Sequence, residues 1–221
     1  MALALAGCPA AQTWTTARTV TPGRLVHTLG VDFVGVTIED RAVAGETTID
    51  DPGLVGIPFL GYVARYGVMP GLDAGLKVSS TGAFALDAKV QLLRGRTLAL
   101  ALDPGAHAPF HFDYVYLNLP ILLSLEVGNG FTVTLYPKSS YVFVIDEETD
   151  NAIDGLLVGG GMHVQIRILP GFAVTPAVEV LVLAWGEDRT ATVMDFGLGF
   201  SFGALPEDDD ERRDGGADEL L

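Results

Sequence analysis

The clearest pattern of apolar and polar positions lies near the end of the chain, in residues 192–203. Large apolar residues alternate there with small or acidic ones: Met194, Phe196, Leu198, Phe200 and Phe202 against Asp195, Gly197, Gly199, Ser201 and Gly203. Because successive side chains of a β-strand point to opposite faces, one face of this strand is wholly apolar and the other is tiny or charged. Such a strand suits a wall that has lipid on one side.

The same alternation recurs along the chain and predicts ten strands. Their predicted ranges are 25–38, 54–66, 72–79, 84–93, 97–102, 112–127, 131–145, 156–169, 172–185 and 192–202. The connections between them alternate in length. Short turns at 68–71, 94–96, 128–130 and 170–171 alternate with longer, more polar loops at 39–53, 103–111, 146–155 and 186–191, with 80–83 as the short exception.

Short turns at one rim and longer loops at the other are typical of an antiparallel up-and-down transmembrane β-barrel. The sequence therefore predicts an all-β barrel of about ten strands, within limits of 8 to 12. An even number of strands places both termini at the short-turn rim, which is periplasmic in bacterial outer-membrane barrels. A soluble β-sandwich or lipocalin-like barrel would also alternate and remains an alternative.

Composition agrees with many short apolar segments. The chain has 221 residues, of which 49% are hydrophobic and 27 are Gly, and its mean hydropathy is +0.37. Its uncharged stretches, such as 114–125 and 155–166, are shorter than the roughly 20 residues that a membrane-spanning helix needs. The apolar excess is therefore distributed over strands.

Alternation also assigns the two faces of the predicted wall. The residues expected to face lipid are Leu98, Leu100, Leu102, Val115, Leu117, Leu119, Ile121, Leu123, Leu125, Val158, Met162, Val164, Ile166 and Ile168. The expected polar network of the lumen is Asp73, Lys77, Asp87, Lys89, Glu126, Lys138, His163, Arg167, Glu179 and Asp195. Because both signs of charge occur in similar number, we expect these groups to pair and to close a narrow interior.

Aromatic residues near strand ends predict interfacial girdles, as in membrane proteins generally. They are Tyr62, Tyr66, Phe110, Phe112, Tyr114, Tyr116, Phe131, Tyr141 and Trp185.

The N-terminal sequence Leu5-Ala6-Gly7-Cys8 resembles the lipobox of bacterial lipoproteins. That resemblance implies acylation of Cys8, with 1–7 as the remnant of a signal peptide; the alternative is an incidental cysteine. The Thr-rich stretch 8–23 is expected to be a lipidated tether, 24–203 the barrel and 204–221 a disordered acidic tail. With Thr16-Ala17-Arg18-Thr19 and Pro22-Gly23, the chain resembles poorly characterised barrel-forming outer-membrane lipoproteins of Gram-negative bacteria, which implies a fold and a location but no activity.

Charge and candidate chemistry narrow the possible functions. The net charge is −15, of which −6 lies in residues 207–221, and this acidity argues against nucleic-acid binding. The tail is either solvated or a periplasmic handle for a basic partner. His107, His111 and Asp113 resemble, loosely, the equipment of omptin proteases, and the alternative is that they are solvated loop residues.

No metal site or cofactor is predicted. Pro109 argues against the helix that would bring His107 and His111 together, and the acidic residues from Asp146 to Asp154 lack EF-hand spacing.

The sequence therefore predicts a non-enzymatic outer-membrane β-barrel lipoprotein, structural or small-ligand-handling, with a closed polar lumen. Its expected partners are outer-membrane lipid, lipopolysaccharide and the barrel-assembly machinery. The alternatives are an outer-rim barrel hydrolase acting on peptide or lipid, and a lipid-tethered soluble lipocalin-like binding protein.

Overall fold

The computed structural model describes residues 13–40, 57–110, 112, 114–128, 130–145, 155–186 and 189–205. These residues form eleven strands: β1 (Leu25–Asp40), β2 (Ile57–Met69), β3 (Leu72–Ser79), β4 (Ala83–Arg94), β5 (Leu98–Leu102), β6 (Gly105–Pro109), β7 (Tyr114–Glu126), β8 (Phe131–Val144), β9 (Gly155–Leu169), β10 (Phe172–Gly186) and β11 (Arg189–Gly203). Within the described part of the chain, no helix is long and apolar enough to cross a membrane.

The strands form a closed barrel in which every neighbouring pair is antiparallel. β1 pairs with β2 on one side and with β11 on the other, so the first and last strands close the sheet. β5 and β6 both lie between β4 and β7 and together take the place of one strand of the barrel. If β5 and β6 are counted as one strand, the barrel has ten strands in up-and-down order, which confirms the predicted fold.

The prediction differs from the structure between β5 and β6. The sequence predicts a long loop at 103–111, but in the structure residues 105–109 continue the wall as β6. The strand is interrupted because Pro104 has no backbone N–H for the ladder. Its carbonyl nevertheless accepts a hydrogen bond from Ala88 N (3.0 Å), and Asp103 N donates to Pro120 O (3.1 Å), which bridges the break.

The two faces of the wall differ as the alternation predicts. On β7, Leu123 is 40% exposed on the outer face, whereas its neighbour Leu122 is fully buried on the inner face. The same contrast holds on β11 between exposed Phe196 and buried Asp195. A soluble domain rarely exposes so large a continuous apolar surface, so the exterior of this barrel is chemically suited to lipid.

The short turns, 70–71, 95–97, 127–130 and 170–171, form one rim, here called the short-turn end. The last described residue, Leu205, lies at this rim, whereas the first, Thr13, is buried in the lumen. Tyr66 and Phe131 are exposed at the short-turn end, and Phe110 and Phe112 are exposed at the opposite, long-loop end.

For two of the predicted girdle residues the prediction is wrong. Tyr114 and Tyr116 are buried in the lumen, because their neighbours Val115 and Leu117 take the outer face of β7.

Candidate functional site

The N-terminal residues Thr13–Pro22, in the stretch that the sequence suggested as a tether, lie inside the barrel and are here called the inner segment. Trp14, Ala17 and Val20 are buried in the lumen, and Pro22 forms a bridge with Gly67 near the short-turn end. The segment is held by side chains of the wall, and these contacts define the candidate site.

Trp14 occupies a seat made of glycines. Gly61, Gly30 and Gly199 lie side by side on β2, β1 and β11, and their missing side chains leave room for the indole ring. A Cβ added to Gly30 would lie 1.7 Å from Trp14 Cη2, and one added to Gly199 would lie 3.2 Å from Cγ. The alternation on β11 therefore has two effects. The large residues make the outer face apolar, and the glycines leave space for Trp14 on the inner face.

Lys89 of β4 holds the backbone of the inner segment. Its Nζ donates hydrogen bonds to the carbonyl oxygens of Thr16 (2.9 Å) and Arg18 (2.6 Å) and to Thr15 Oγ1 (2.7 Å). Since Lys89 is fully buried, its three donors are satisfied by the segment and by Asp73, which lies 3.3 Å away.

Three wall residues, Ser124, Asp73 and Gln91, accept hydrogen bonds from backbone amides of the inner segment, with Thr19 N donating to Gln91 Oε1 (3.4 Å). Ala17 N donates to Ser124 Oγ (2.7 Å), and Val20 N donates to Asp73 Oδ2 (2.9 Å). With the contacts of Lys89, these bonds satisfy backbone groups that would be costly to bury unpaired.

Arg18 fixes the inner segment at the short-turn end. Its guanidinium donates to the carbonyl oxygens of Gly95 (3.0 Å) and Arg96 (2.7 Å), and its Nε lies 2.9 Å from Glu126 Oε1. The turn between β4 and β5, the end of β7 and the inner segment are thereby joined at one point.

A buried ion cluster lies beside the inner segment. Arg65 of β2 contacts the carboxylates of Asp73 and Asp87 and lies 3.1 Å from Asp103 Oδ2. Because Asp73 also contacts Lys89, the cluster connects the walls β2, β3 and β4 to the lysine that holds the segment.

A second polar group lies at mid-barrel, where Lys138 of β8 pairs with Glu179 of β10 at 2.7 Å. Asp195 faces Glu179 directly across β10 and β11. Tyr136 and His163 are buried beside them, with ring centroids 5.9 Å apart.

The lumen towards the long-loop end is apolar. It is filled by a packed cluster: Val34, Tyr114, Tyr116, Val142, Leu157, Leu181 and Val193, with Phe59 and Leu183 against it. A small cavity of about 30 Å³ borders Trp14, Arg65 and Lys77, which is about the space of one water molecule. Inner segment, ion clusters and apolar layer together fill the described interior.

The predicted lumen residues fall into groups. Asp73, Asp87 and Lys89 meet around Arg65, Lys138 meets Glu179, and Glu126 meets Arg18. His163 and Asp195 are buried at mid-barrel, Lys77 is half-buried, and Arg167 lies at the short-turn end. Cys8, His111, Asp113 and the tail from residue 206 lie outside the described residues.

Sequence reasoning missed Trp14, Arg18 and Asp103, and alternation assigned Arg65 to the inner face only weakly. Trp14 and Arg18 are the only large side chains in a run of small residues, a signal that they fill space elsewhere. Arg65 lies on a strand that alternates weakly, and Asp103 lies in the stretch interpreted as a loop.

His107, a member of the loosely protease-like set, is buried in the lumen 5.7 Å from the ring of Tyr116. Among the described residues, no group of three or more His, Cys, Asp or Glu could hold a metal ion.

Known proteins resemble this chain in fold and not in sequence. No protein-family model and no curated protein sequence matches it. Among solved structures, an outer-membrane channel from Pseudomonas putida F1 is similar with a TM-score of 0.53 and 9% identity, covering 87% of this chain and 99% of the channel. The outer membrane protease OmpT from Escherichia coli is similar with a TM-score of 0.51 and 11% identity, covering 87% of this chain and 100% of the protease. The chain therefore has the fold of outer-membrane β-barrels.

Proposed function

We propose that this chain is a non-enzymatic β-barrel of the bacterial outer membrane, a structural component whose lumen is closed by its own residues. The observation that carries the proposal is the inner segment, with Trp14 seated on the glycine row and its backbone held by Lys89. A path for solutes would have to displace both.

Three features support the membrane location. The outer face of the strands carries many exposed large apolar side chains, the fold is that of outer-membrane barrels, and exposed aromatic residues lie at both ends. The short-turn end is periplasmic in such barrels, so Leu205, where the described chain ends, would lie on that side.

Two features support a closed lumen. Charged residues of opposite sign are paired at the short-turn end and at mid-barrel, and an apolar cluster fills the long-loop end. An open channel needs a polar interior that stays hydrated, whereas the described interior is packed.

Planar-bilayer recordings test the proposal. Full-length protein that shows heat-modifiable mobility on gels, and is therefore folded, should give no steady conductance, while a porin added to the same membrane provides the positive control. Large, stable channels from the folded protein would contradict the closed lumen and make the protein a porin.

A further inference from the structure

The mouth of the barrel at the short-turn end is lined by arginines. Arg94 pairs with buried Ala99, and Arg167 pairs with buried Ala173, so both occupy lumen-facing positions. Arg24 lies two residues before buried Val26 and shares its face. We call Arg24, Arg94, Arg96 and Arg167 the arginine collar.

The position of Arg94 depends on an irregularity in β4. The register with β5 shifts by one residue between Gln91 and Leu93. Without this bulge Arg94 would take the outer face, because a shift of one residue reverses the direction of every following side chain.

Among the described residues, few carboxylates lie at this end of the barrel. The four short turns contain no Asp or Glu. Glu126 is paired with Arg18, and Asp73 lies deeper, with Arg65 and Lys89. With Arg18 included, five arginines and one glutamate give the described residues of this rim a net charge of +4.

The chain leaves the barrel within this collar. Leu205 is buried in the mouth against Val20, Val26 and Ala173, and Ala204 N donates to Leu25 O (3.2 Å). The exit therefore lies between the strand ends that carry Arg24 and Arg167. The sequence that follows, 207–221, has eight acidic and two basic residues and a net charge of −6.

We propose that the arginine collar binds this acidic C-terminal segment of its own chain. Glu207 follows Leu205 by two residues, which is about 7 Å of chain, so the first carboxylates are tethered beside the collar. A short tether gives an effective concentration in the millimolar range, and guanidinium groups bind carboxylates through paired hydrogen bonds.

Lumen-facing positions favour this occupant over phospholipid headgroups. Lipid surrounds the outside of a barrel, whereas Arg24, Arg94 and Arg167 face its axis. The proposal does not depend on whether the barrel conducts. An anionic partner at this mouth would have to compete with the tethered segment, and the contact should weaken with salt because exposed charges are screened.

A spin-label distance measurement on the full chain tests the proposal. In a Cys8→Ser background, labels at Thr97→Cys in the β4–β5 turn and at Ala217→Cys should give a short-distance peak at low salt. That peak should be lost at high salt and in the Arg24→Gln/Arg167→Gln variant. Arg189→Gln removes one positive charge at the opposite rim and should leave the peak unchanged, whereas Arg167→Gln alone, which removes one charge from the collar, should weaken it.

Several outcomes would overturn the proposal. They are absence of the peak in the parent protein at low salt, and persistence of the peak at high salt or in the double arginine variant. Loss of the peak in nanodiscs containing phosphatidylglycerol, but not in those of phosphatidylcholine, would assign the collar to lipid phosphates. If the arginine variant does not fold, the acidic segment can be changed instead. The triple variant Asp208→Asn/Asp209→Asn/Asp210→Asn removes three of its carboxylates and should also abolish the peak.

Discussion

Lys138 reaches across strand β9 to Glu179, with its Nζ 2.7 Å from Oε1. The strand between them offers no side chain in the way, because Lys138 pairs with Gly159 and Glu179 pairs with Gly161. A Cβ on Gly161 would lie 2.4 Å from Tyr136 Oη. Gly159 and Gly161, which face the lumen on β9, thus make room for a buried ion pair and a tyrosine ring.

Removing one member of this pair should destabilise the barrel more than removing both. Glu179→Gln leaves the Lys138 charge buried without its partner, and we expect a loss of about 3–5 kcal/mol in the free energy of unfolding. Lys138→Met/Glu179→Gln removes both charges and should recover most of that loss. Urea titration of the protein in lipid vesicles, with tryptophan fluorescence as the signal, measures the cycle. The cycle also needs Lys138→Met alone, and a loss in the double variant equal to the sum of the two single losses would show that the pair is not coupled.

Sequence alternation locates the wall well because each face meets a different medium. The burial contrast between Leu122 and Leu123 and that between Asp195 and Phe196 follow directly from a period of two. β6 escapes the same reasoning because its residues, 105–109, carry no large apolar side chain on either face. Its place in the sheet is set by pairing with β4 and β7, which local sequence does not reveal.

The contents of the lumen were harder to predict. The charged wall residues were found because each lies on an alternating strand, but their partners depend on how a closed sheet brings distant strands together. The inner segment has no periodicity at all. Its location follows from complementarity between Trp14 and three glycines that lie far apart in the sequence, Gly30, Gly61 and Gly199.

Labelling of single cysteines should separate a membrane barrel from a soluble one. Leu119→Cys, Leu123→Cys and Ile166→Cys, each in a Cys8→Ser background, should react with a lipid-soluble reagent and resist a water-soluble one. Leu122→Cys on the inner face is the matched control and should resist both. Arg at position 123 should impair insertion, because a charge on the lipid face costs about 2–4 kcal/mol at the midplane. Reaction of all three outer positions with the water-soluble reagent in membranes would contradict a lipid-facing exterior.

Acylation of Cys8 remains a prediction from the lipobox-like sequence. Mass spectrometry of the protein extracted from its own membrane should show a lipid-sized increment on Cys8, and Cys8→Ser should abolish it. Thr13 is buried in the lumen. Its position limits the distance at which an acylated Cys8 could lie from it, because the five residues from Cys8 to Thr13 span about 17 Å at most. An unmodified thiol at Cys8 would contradict the predicted lipid anchor and would not contradict the barrel fold.

The seat of Trp14 offers the most direct test of the closed lumen. Gly30→Ala places a Cβ 1.7 Å from the Trp14 ring, too close for the indole to remain, so the inner segment should leave its site in a large fraction of molecules. Gly61→Ala is the matched control, because the same added atom would lie 3.4 Å from the ring, an ordinary contact. Accessibility of Thr16→Cys to a water-soluble maleimide, in a Cys8→Ser background, reports the change.

We expect Thr16→Cys to react slowly in the parent and in the Gly61→Ala protein, and many-fold faster in the Gly30→Ala protein. Lys89 still holds the carbonyl oxygens of Thr16 and Arg18 in that variant, so combining Gly30→Ala with Lys89→Met should increase the rate further. The apolar cluster at the long-loop end includes neither Gly30 nor Lys89, and the barrel should therefore keep its heat-modifiable mobility. Rapid labelling in the parent would mean that the inner segment already exchanges with solvent, and the lumen would then be closed by the apolar cluster alone.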